Sequence, residues 1–342
     1  MSSHSEPDLS PTTNGRLHTY RSVPPLVAFE HLPPHDQHVP PTNTLLFVGG
    51  LTDGLHTVPF VRPLAASLPP SWSLVEVLLS SSYTGWGSSS LTKDVREIAQ
   101  CVTYFRKLRS SSSIDDTAGG KIILMGHSTG CQDVMHYLTS PPGVSAGNVA
   151  STGEGNGETK TRPAVDAGIL QASVSDREVI VLQLTPQEYT DSCTRAQEMV
   201  DSKQGADVLP LHMTRKFLPT PISASRWLSM ASPGPAHAGE DDYFSSDLGD
   251  ERLRATFAKI GGTGAVLGIY YGGEDEAVPE SVDKRALVER WIRIVEDGGG
   301  VVGEGSGVVP GATHNVEGGG KPLEDLIGRV GRMIKQVARH KP

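Results

Sequence analysis

The stretch Lys121-Ile-Ile-Leu-Met-Gly-His-Ser-Thr-Gly130 decides the fold of this chain, because it joins an apolar strand to a Gly-x-Ser-x-Gly turn. A helical pattern follows this turn through Leu138. In such a strand–turn–helix unit the serine has a strained backbone conformation, and its hydroxyl is exposed above the sheet edge. A Cβ at Gly126 or Gly130 would collide with the neighbouring helix or strand, which explains both glycines. The sequence therefore predicts Ser128 as a nucleophile.

Further apolar runs lie on both sides of this unit and alternate with helical patterns. We predict strands at Thr44–Val48, Leu74–Leu79, Lys121–Met125, Val165–Ala172 and Ala265–Tyr271. Helical spacing is found over Leu91–Leu108, Ala286–Val295 and Leu323–Ala338. Strands that alternate with helices indicate an α/β fold class, with a mostly parallel central sheet covered by helices on both faces.

The chain is predicted to form one domain with two additions. Residues 1–25 are interpreted as a flexible N-terminal extension, and residues 26–342 as the domain itself. Residues 176–250 have a mostly helical pattern interrupted by prolines, which predicts a helical cap-like insertion. Residues 141–164 and 297–311 are rich in glycine and are expected to be loops.

Composition excludes several classes of protein. The 342 residues include 30 Lys and Arg against 39 Asp and Glu, and a net charge of −9 argues against binding to nucleic acid or to an anionic membrane. No apolar run approaches the roughly 20 residues of a membrane helix. Three cysteines without a Cys-x-x-Cys spacing do not predict a disulfide framework or a zinc ribbon. Because residues 1–41 also lack the apolar stretch of a secretion signal, a cytoplasmic location is expected.

The predicted nucleophile needs a general base, since an alcohol is hardly ionised at neutral pH. Where a serine lies on such an elbow, the acid and then the histidine follow it in the chain. Of the histidines beyond the expected acid, His340 lies two residues from the C-terminus, where a fixed geometry is not expected. His314 follows a glycine-rich segment and precedes the last helix, and we predict it as the base.

The acid is expected directly after a core strand, where a carboxylate can orient the imidazole without being flexible. The strand Ala265–Tyr271 leads into Gly272-Gly-Glu-Asp-Glu, and we predict Asp275 as the acid. Glu274 and Glu276 are alternatives one residue away.

Two backbone N–H groups are expected to stabilise the oxyanion of an acyl-transfer intermediate. Thr129 directly follows the nucleophile at a helix N-terminus, where the helix dipole adds to the effect. The second donor is expected in the turn Gly49–Gly54 after the first strand, and we predict Leu51. A plain tight turn would also explain the two glycines at its start.

These motifs resemble those of the α/β-hydrolase superfamily: the Gly126–Gly130 unit, Asp275 in Gly-x-x-Asp-x-x-Val-Pro, and the late Gly-x-x-His314. Further stretches resemble a mainly fungal hydrolase family that includes esterases of fusarinine-type siderophores. These stretches are Val48–Gly54, Ser82–Gly87, Ile169–Glu178 and Asp241–Leu248. The resemblance covers about residues 20–340.

The resemblance implies a serine esterase that cleaves ester-linked hydroxamate siderophores inside the cell and so frees iron. It implies a small-molecule ester as partner, and no cofactor or metal, because the hydroxamates hold the iron themselves. Another carboxylic ester or a lipid remains an alternative substrate. A non-catalytic ligand-binding protein of the same fold is the second alternative.

Substrate recognition is expected in the helical segment 176–250 and near it. Aromatic side chains that are candidates for pocket walls are Trp86, Trp227, Tyr243 and Phe244. Asp241 and Asp242 are candidates for attracting free amines of a substrate. The cluster His31, His35 and His38 lies in a proline-rich segment and is expected to bind no metal.

Overall fold

The computed structural model describes residues 13–32, 40–110, 120–141 and 162–340. Among these residues nine strands form one sheet, in the order β1-β2-β4-β3-β5-β6-β7-β8, with β9 also paired to β7. The strands are β1 Gly15–Ser22, β2 Pro25–His31, β3 Asn43–Val48, β4 Trp72–Val77, β5 Ile122–His127, β6 Ala167–Gln171, β7 Val266–Gly272, β8 Val301–Val302 and β9 Gly307–Val309. The helices are α1 Val61–Ser67, α2 Leu91–Ser110, α3 Gly130–Thr139, α4 Asp176–Gln183, α5 Pro186–Asp201, α6 Leu211–Thr214, α7 Ala224–Ala231, α8 Asp250–Arg254, α9 Lys284–Asp297 and α10 Gly320–Arg339.

Strands β3–β9 pair in parallel, whereas β1 pairs antiparallel with β2 and β2 pairs antiparallel with β4. The central strands are buried on both faces, which is why they read as continuous apolar runs. All five predicted strands are present, and the predicted α/β fold class is confirmed.

Each face of the sheet has its own core. Alternate residues of β3 show this, because Leu46 packs in the core under α2, α3 and α9, whereas Leu45 and Phe47 pack in the core under α1 and α10. In α10 a single apolar stripe, which includes Val330 and Ile334, covers the second face. The two layers of helices hold the strand ends in place, and the carboxyl ends of the parallel strands meet at one edge.

Helices α4–α8 lie between β6 and β7 in the chain. Helices α4–α7 fall within residues 176–250, the segment predicted to be a helical insertion, and α8 begins at its last residue. Several of them share a third core, in which Trp227 and Met230 of α7 pack with Ile180 of α4 and Met199 of α5. Its separate core supports the view of this segment as a structural unit, and its placement as a cap stays a prediction.

The N-terminal part of the chain differs from the prediction. Residues 15–31 form the β1–β2 hairpin, and β2 pairs with β4 at the sheet edge. Residues 15–25 of this hairpin were expected to belong to the flexible extension. Tyr20 donates a hydrogen bond to the carbonyl of Leu78 at 2.8 Å, and the buried Glu30 accepts from Arg109 of α2. Strand β1 is mostly exposed and mostly polar, so its composition resembles that of a tail. Residues 1–12 lie outside the described residues.

Two predicted loops have different outcomes. The segment 297–311 contains the short strands β8 and β9, which pair with β7 and were not predicted. Most of the other segment, residues 142–161, lies outside the described residues.

Candidate active site

Ser128 lies in the turn between β5 and α3, with a backbone φ of 53°. This left-handed conformation is uncommon for a residue with a Cβ and stores strain at the turn. A Cβ on Gly126 would lie 2.2 Å from the carbonyl oxygen of Gly130, and one on Gly130 would lie 2.3 Å from that of Val48. Glycine is therefore required at both positions for the turn to pack against α3 and β3.

The structure brings Ser128, His314 and Asp275 into one hydrogen-bonded line. The Oγ of Ser128 lies 2.9 Å from Nε2 of His314. On the other side of the ring, Nδ1 of His314 lies 3.0 and 3.1 Å from the two carboxylate oxygens of Asp275. This is the arrangement in which a carboxylate fixes the imidazole and the imidazole takes a proton from the hydroxyl.

The three neighbouring acids have different contacts, which distinguishes Asp275 from its two alternatives. Asp275 is 2% exposed, and one of its oxygens also accepts from the backbone N–H of Ala277 at 3.0 Å. Glu276 accepts from the backbone N–H of His314 at 3.0 Å and so fixes the loop rather than the ring. The backbone of Glu274 is held by a hydrogen bond from its N–H to the carbonyl of Ala312. Asp275 is thus the acid in contact with the imidazole.

The surroundings of His314 favour its protonated form. Burial opposes the charged imidazole, but the hydrogen bond and the negative charge of Asp275 outweigh it and raise the pKa of His314. A raised pKa makes the ring a stronger proton acceptor, which suits a general base for a hydroxyl group.

The turn after β3 lies against Ser128. A Cβ on Gly50 would lie 2.6 Å from the Cβ of Ser128, so only glycine allows this approach. The carboxylate of Asp53 accepts from the N–H of Gly50 at 2.8 Å and holds the turn. Leu51 follows Gly50 directly, and Thr129 follows Ser128, so both backbone segments predicted to supply oxyanion donors lie beside the hydroxyl.

A layer of polar side chains behind the triad was missed by the sequence analysis. His127 contacts the side chains of Gln171 and Asn315, at 2.5 and 3.0 Å, and its ring centroid lies 5.0 Å from that of His314. Burial and the charge of His314 lower the pKa of His127 to about 4, so it stays neutral at neutral pH beside the ring of His314. In the sequence, the only indication of this layer was that His127 directly precedes Ser128 and Asn315 directly follows His314.

A small cavity of about 30 Å³ opens beside the proposed oxyanion donors. Its lining includes Gly50, Leu51 and Thr129, together with Trp86 from the set of predicted aromatic walls. Trp86 is therefore placed where a pocket residue was expected.

The other three predicted wall residues lie in the cores. Trp227 is fully buried in the core of the helical segment, and its indole N–H donates to Ser192 at 3.2 Å. Phe244 packs against Phe257 and Trp291, and Tyr243 contacts the ring of His136 through its hydroxyl. The expectation of pocket walls is thus corrected for Trp227, Tyr243 and Phe244, because their contacts are those of core residues.

The structure also corrects the expectation for Asp241 and Asp242. Asp241 is 2% exposed and accepts twice from one nitrogen of Arg226, at 2.6 and 2.7 Å. Asp242 is 4% exposed and accepts from Arg177 at 3.0 Å. Both carboxylates are engaged by guanidinium groups inside the protein, so they are not available to attract amines at the surface.

Among the described residues, His31, His56 and Glu76 present potential metal-ligating atoms within 4.8 Å of one another. Glu76 accepts from His31 at 2.7 Å and from the backbone N–H of His56 at 2.8 Å, so these contacts join β2, β4 and the loop before α1. His35 and His38, the other members of the predicted histidine cluster, lie outside the described residues. No described helix is long and apolar enough to cross a membrane.

The parallel sheet with helices on both faces, and the serine at a strand–turn–helix elbow, define the α/β-hydrolase fold. A solved structure described as an α/β-hydrolase fold protein of unknown function has the same fold, with a TM-score of 0.58 at 16% identity over 97% of each chain.

Residues 1–335 match the family model described as a protein of unknown function, DUF1749, and the chain belongs to this family. It is 39% identical to the fusarinine C esterase sidJ of Aspergillus fumigatus over 322 residues, which cover 88% of this chain and 89% of that one. It is also similar to the solved structure of the siderophore hydrolase EstB from Aspergillus fumigatus. That similarity has a TM-score of 0.81 at 35% identity and covers 97% of this chain and 99% of the other. The resemblance to a family with fungal siderophore esterases is thereby confirmed.

Proposed function

We propose that this protein is a serine esterase that hydrolyses the ester bonds of fusarinine-type hydroxamate siderophores. The observation that carries the proposal is the line from Ser128 Oγ through His314 to Asp275, with a 2.9 Å contact between hydroxyl and imidazole. The substrate class rests on the relatives, which are named as a fusarinine C esterase and a siderophore hydrolase.

In the first half of the reaction, Ser128 Oγ attacks the ester carbonyl carbon while His314 Nε2 takes the hydroxyl proton. The carbonyl oxygen becomes an oxyanion, and we assign its stabilisation to the backbone N–H groups of Leu51 and Thr129. Asp275 holds Nδ1–H of His314 and stabilises the imidazolium that forms. Collapse of the intermediate releases the alcohol, which takes its proton from His314, and leaves an acyl-enzyme on Ser128.

In the second half, His314 deprotonates a water molecule that attacks the acyl-enzyme. A second oxyanion forms and collapses, and it releases the carboxylic acid and restores the hydroxyl of Ser128. No step requires a protein-bound metal, because the three side chains supply the nucleophile, the base and its partner. For a ferric siderophore the iron is cargo of the substrate, and ester cleavage breaks the linkage between its hydroxamate units.

We place this activity in the cytoplasm, where cleavage would follow siderophore uptake and lead to release of iron. The proposed partner is the small-molecule ester itself, without nucleic acid or membrane. Three buried free cysteines, Cys101, Cys131 and Cys193, are compatible with a reducing compartment.

The test is a mass-spectrometric time course with ferric fusarinine C and with its triacetylated form. Wild type is compared with Ser128→Ala and with Ser140→Ala, which changes a serine at the far end of α3. Linear trimer, dimer and monomer should appear in turn with wild type and with Ser140→Ala, and not with Ser128→Ala.

A fluorophosphonate probe separates the possible failures, because an unactivated serine reacts poorly with it. If Ser128 is labelled but both siderophores stay intact, the hydrolase chemistry stands and the substrate assignment is wrong. If neither labelling nor cleavage occurs, the protein is a non-catalytic member of the fold.

A further inference from the structure

Three polar side chains at one edge of the sheet take no part in the proposed reaction. Glu76 of β4 lies directly opposite Phe29 of β2, and His31 is two residues further along β2. Because side chains alternate between the two faces of a sheet, these three lie on the same face. His56, in the loop before α1, completes the group, and we call His31, His56 and Glu76 the two-histidine site.

The potential ligand atoms of these residues converge on a small space. Nε2 of His31 lies 2.7 Å from Oε1 of Glu76, and Nδ1 of His56 lies 3.2 Å from the same oxygen. The three side chains present their ligand atoms within 4.8 Å of one another. Because the ligand atoms of a tetrahedral zinc site are about 3.4 Å apart, the two contacts with Glu76 need to lengthen by less than about 1 Å to admit an ion.

The carboxylate of Glu76 is buried, and among the described residues it has no lysine or arginine as an ion-pair partner. Glu76 is 2% exposed, and its contacts of this kind are with the imidazoles of His31 and His56. Buried charged groups are unfavourable unless they are paired or coordinate a metal. A divalent ion between the three side chains would supply positive charge directly to this carboxylate.

The neighbouring groups orient these side chains. Oε2 of Glu76 accepts from the backbone N–H of His56 at 2.8 Å, and Oε1 of the same carboxylate contacts both imidazoles. The ring of Phe29 packs edge-on against both imidazoles, with centroid distances of 5.1 Å to His31 and 4.6 Å to His56. Such contacts favour metal binding, because they orient the ligands before the ion arrives.

The exposure of His56 gives the site an opening to solvent. His31 is 5% exposed, whereas the side chain of His56 is 35% exposed, so an ion can enter and water can complete its coordination. Two imidazole nitrogens, one carboxylate oxygen and an open position are typical of Zn²⁺ and iron(II) sites. Mg²⁺ and Ca²⁺ prefer sets of oxygen ligands. The donor set therefore favours a transition metal.

We propose that the two-histidine site binds one divalent transition-metal ion, for which Zn²⁺ is the test ion. Of the histidine cluster that was expected to bind no metal, only His31 belongs to this site. The ion joins β2 and β4 to the loop before α1. This loop is held to the turn that carries Leu51, because Thr57 Oγ1 donates to the carboxylate of Asp53 at 2.8 Å. The ion therefore has a structural role and stabilises the folded chain.

The first measurement is calorimetric titration of Zn²⁺ into the full chain, prepared without a tag and freed of metal with a chelator. Wild type should bind one ion per chain, and it should bind Mg²⁺ about tenfold or more weakly. His56→Gly should weaken Zn²⁺ binding about 10- to 100-fold or more, because it removes a ligand. Glycine also suits the backbone of residue 56, which has a φ of 63°.

His237→Gly is the matched control for this variant. His237 also has a positive φ, of 41°, and its ring contacts the carbonyl of Ser232 outside the site. This variant should bind Zn²⁺ within about twofold of wild type. Glu76→Gln should weaken binding about as much as His56→Gly does, because it removes the charge of the carboxylate and nearly keeps its shape.

The second measurement is thermal unfolding with and without Zn²⁺. Because an ion that binds only the folded state stabilises it, Zn²⁺ should raise the Tm of wild type and of His237→Gly, and not that of His56→Gly. No binding of Zn²⁺ to wild type, unchanged affinity in His56→Gly, or an equal loss in the two glycine variants would overturn the site. The proposed function is tested separately, by fluorophosphonate labelling of Ser128, and its failure leaves the metal-binding result readable.

Discussion

Two sets of buried carboxylates in this protein differ in how their charge is balanced. Asp275 has one imidazole partner, which contacts both of its oxygens, and a backbone N–H that donates to one of them. Asp94, Asp133, Asp176 and Asp241 form the second set, and we call them, together with the one guanidinium that interacts with all four, the Arg226 cluster. Oδ1 of Asp133 has no donor among the described residues.

The difference separates a carboxylate that is paired with a group able to take a positive charge from carboxylates that are buried close to one another. Asp275 is held in place beside His314, so a positive charge that forms on the imidazole lies next to a fixed negative charge. In the Arg226 cluster, burial raises the pKa of Asp94 to about 6 and the pKa values of Asp133 and Asp176 well above their usual range, so protons balance the charge that the single guanidinium does not. The following predictions test this contrast, in order of decreasing effect.

Ser128→Ala should lower kcat for ester hydrolysis by about 10⁶-fold, because among the described residues Ser128 supplies the hydroxyl hydrogen-bonded to Nε2 of His314. Hydrolysis of 4-nitrophenyl butyrate measures this effect, and Ser140→Ala is the control that should keep the activity of wild type. Equal activity in Ser128→Ala and wild type would mean that Ser128 is not the nucleophile.

Asp275→Asn should lower kcat by about 10⁴-fold, because the amide can hold the wrong tautomer of His314 and cannot stabilise the imidazolium. Steady-state kinetics on 4-nitrophenyl butyrate measure this, with Glu274→Gln as the neighbouring control. An equal loss of kcat in Glu274→Gln would show that the assignment of Asp275 as the acid is wrong.

Arg226→Met should lower the free energy of unfolding by about 3–5 kcal/mol, because it leaves buried carboxylates without their cation. Chemical denaturation measures this change, and Arg254→Met, at an exposed position of α8, should change stability little. Unfolding free energies that agree within error for the two variants would show that the charges of the cluster are balanced in another way.

Gly50→Ala should lower kcat by about 10²–10³-fold with a smaller effect on folding, because the new methyl group displaces the turn that carries Leu51 from Ser128. Gly249→Ala is the matched control, since a Cβ there meets no atom within 4 Å. If Gly50→Ala retains its activity, the backbone N–H of Leu51 is not an oxyanion donor.

The pH dependence should be the smallest effect, and it should depend on Asp275 and not on the Arg226 cluster. The base must be neutral, so kcat/KM for 4-nitrophenyl butyrate should fall about tenfold per pH unit below the pKa of His314. That pKa is raised above its usual 6.5 by Asp275, so the acid limb lies above pH 6.5 in wild type and should move to lower pH in Asp275→Asn. Asp133→Asn should not move this acid limb. A shift of the limb in this variant would mean that the charges of the cluster affect the pKa of His314.

The sequence predicted the parts of this protein whose signals are local. The elbow at Gly126–Gly130 is recognisable because tight packing allows only glycine at both ends. Asp275 and His314 could be predicted because each follows a recognisable element in the order that this fold imposes. The catalytic roles of these residues remain predictions, although the structure brings their side chains together.

The parts that were missed depend on partners far away in the chain. Strand β1 is mostly exposed, and the buried residues of the hairpin contact distant parts of the chain, such as Leu78 and Arg109. Asp241 and Asp242 formed an acidic run in the sequence, and only the folded chain pairs them with Arg226 and Arg177.

By itself, the sequence determined the α/β architecture and predicted the nucleophile, because hydrophobic periodicity and steric demands on glycine act over a few neighbouring residues. Only the tertiary structure decided which carboxylates are neutralised and which face a cavity. Asp94, Asp133, Asp176 and Asp241 come from four separate parts of the chain. Their charges interact strongly only after folding brings these side chains together and removes the water between them. A local sequence pattern does not contain the distances between these side chains.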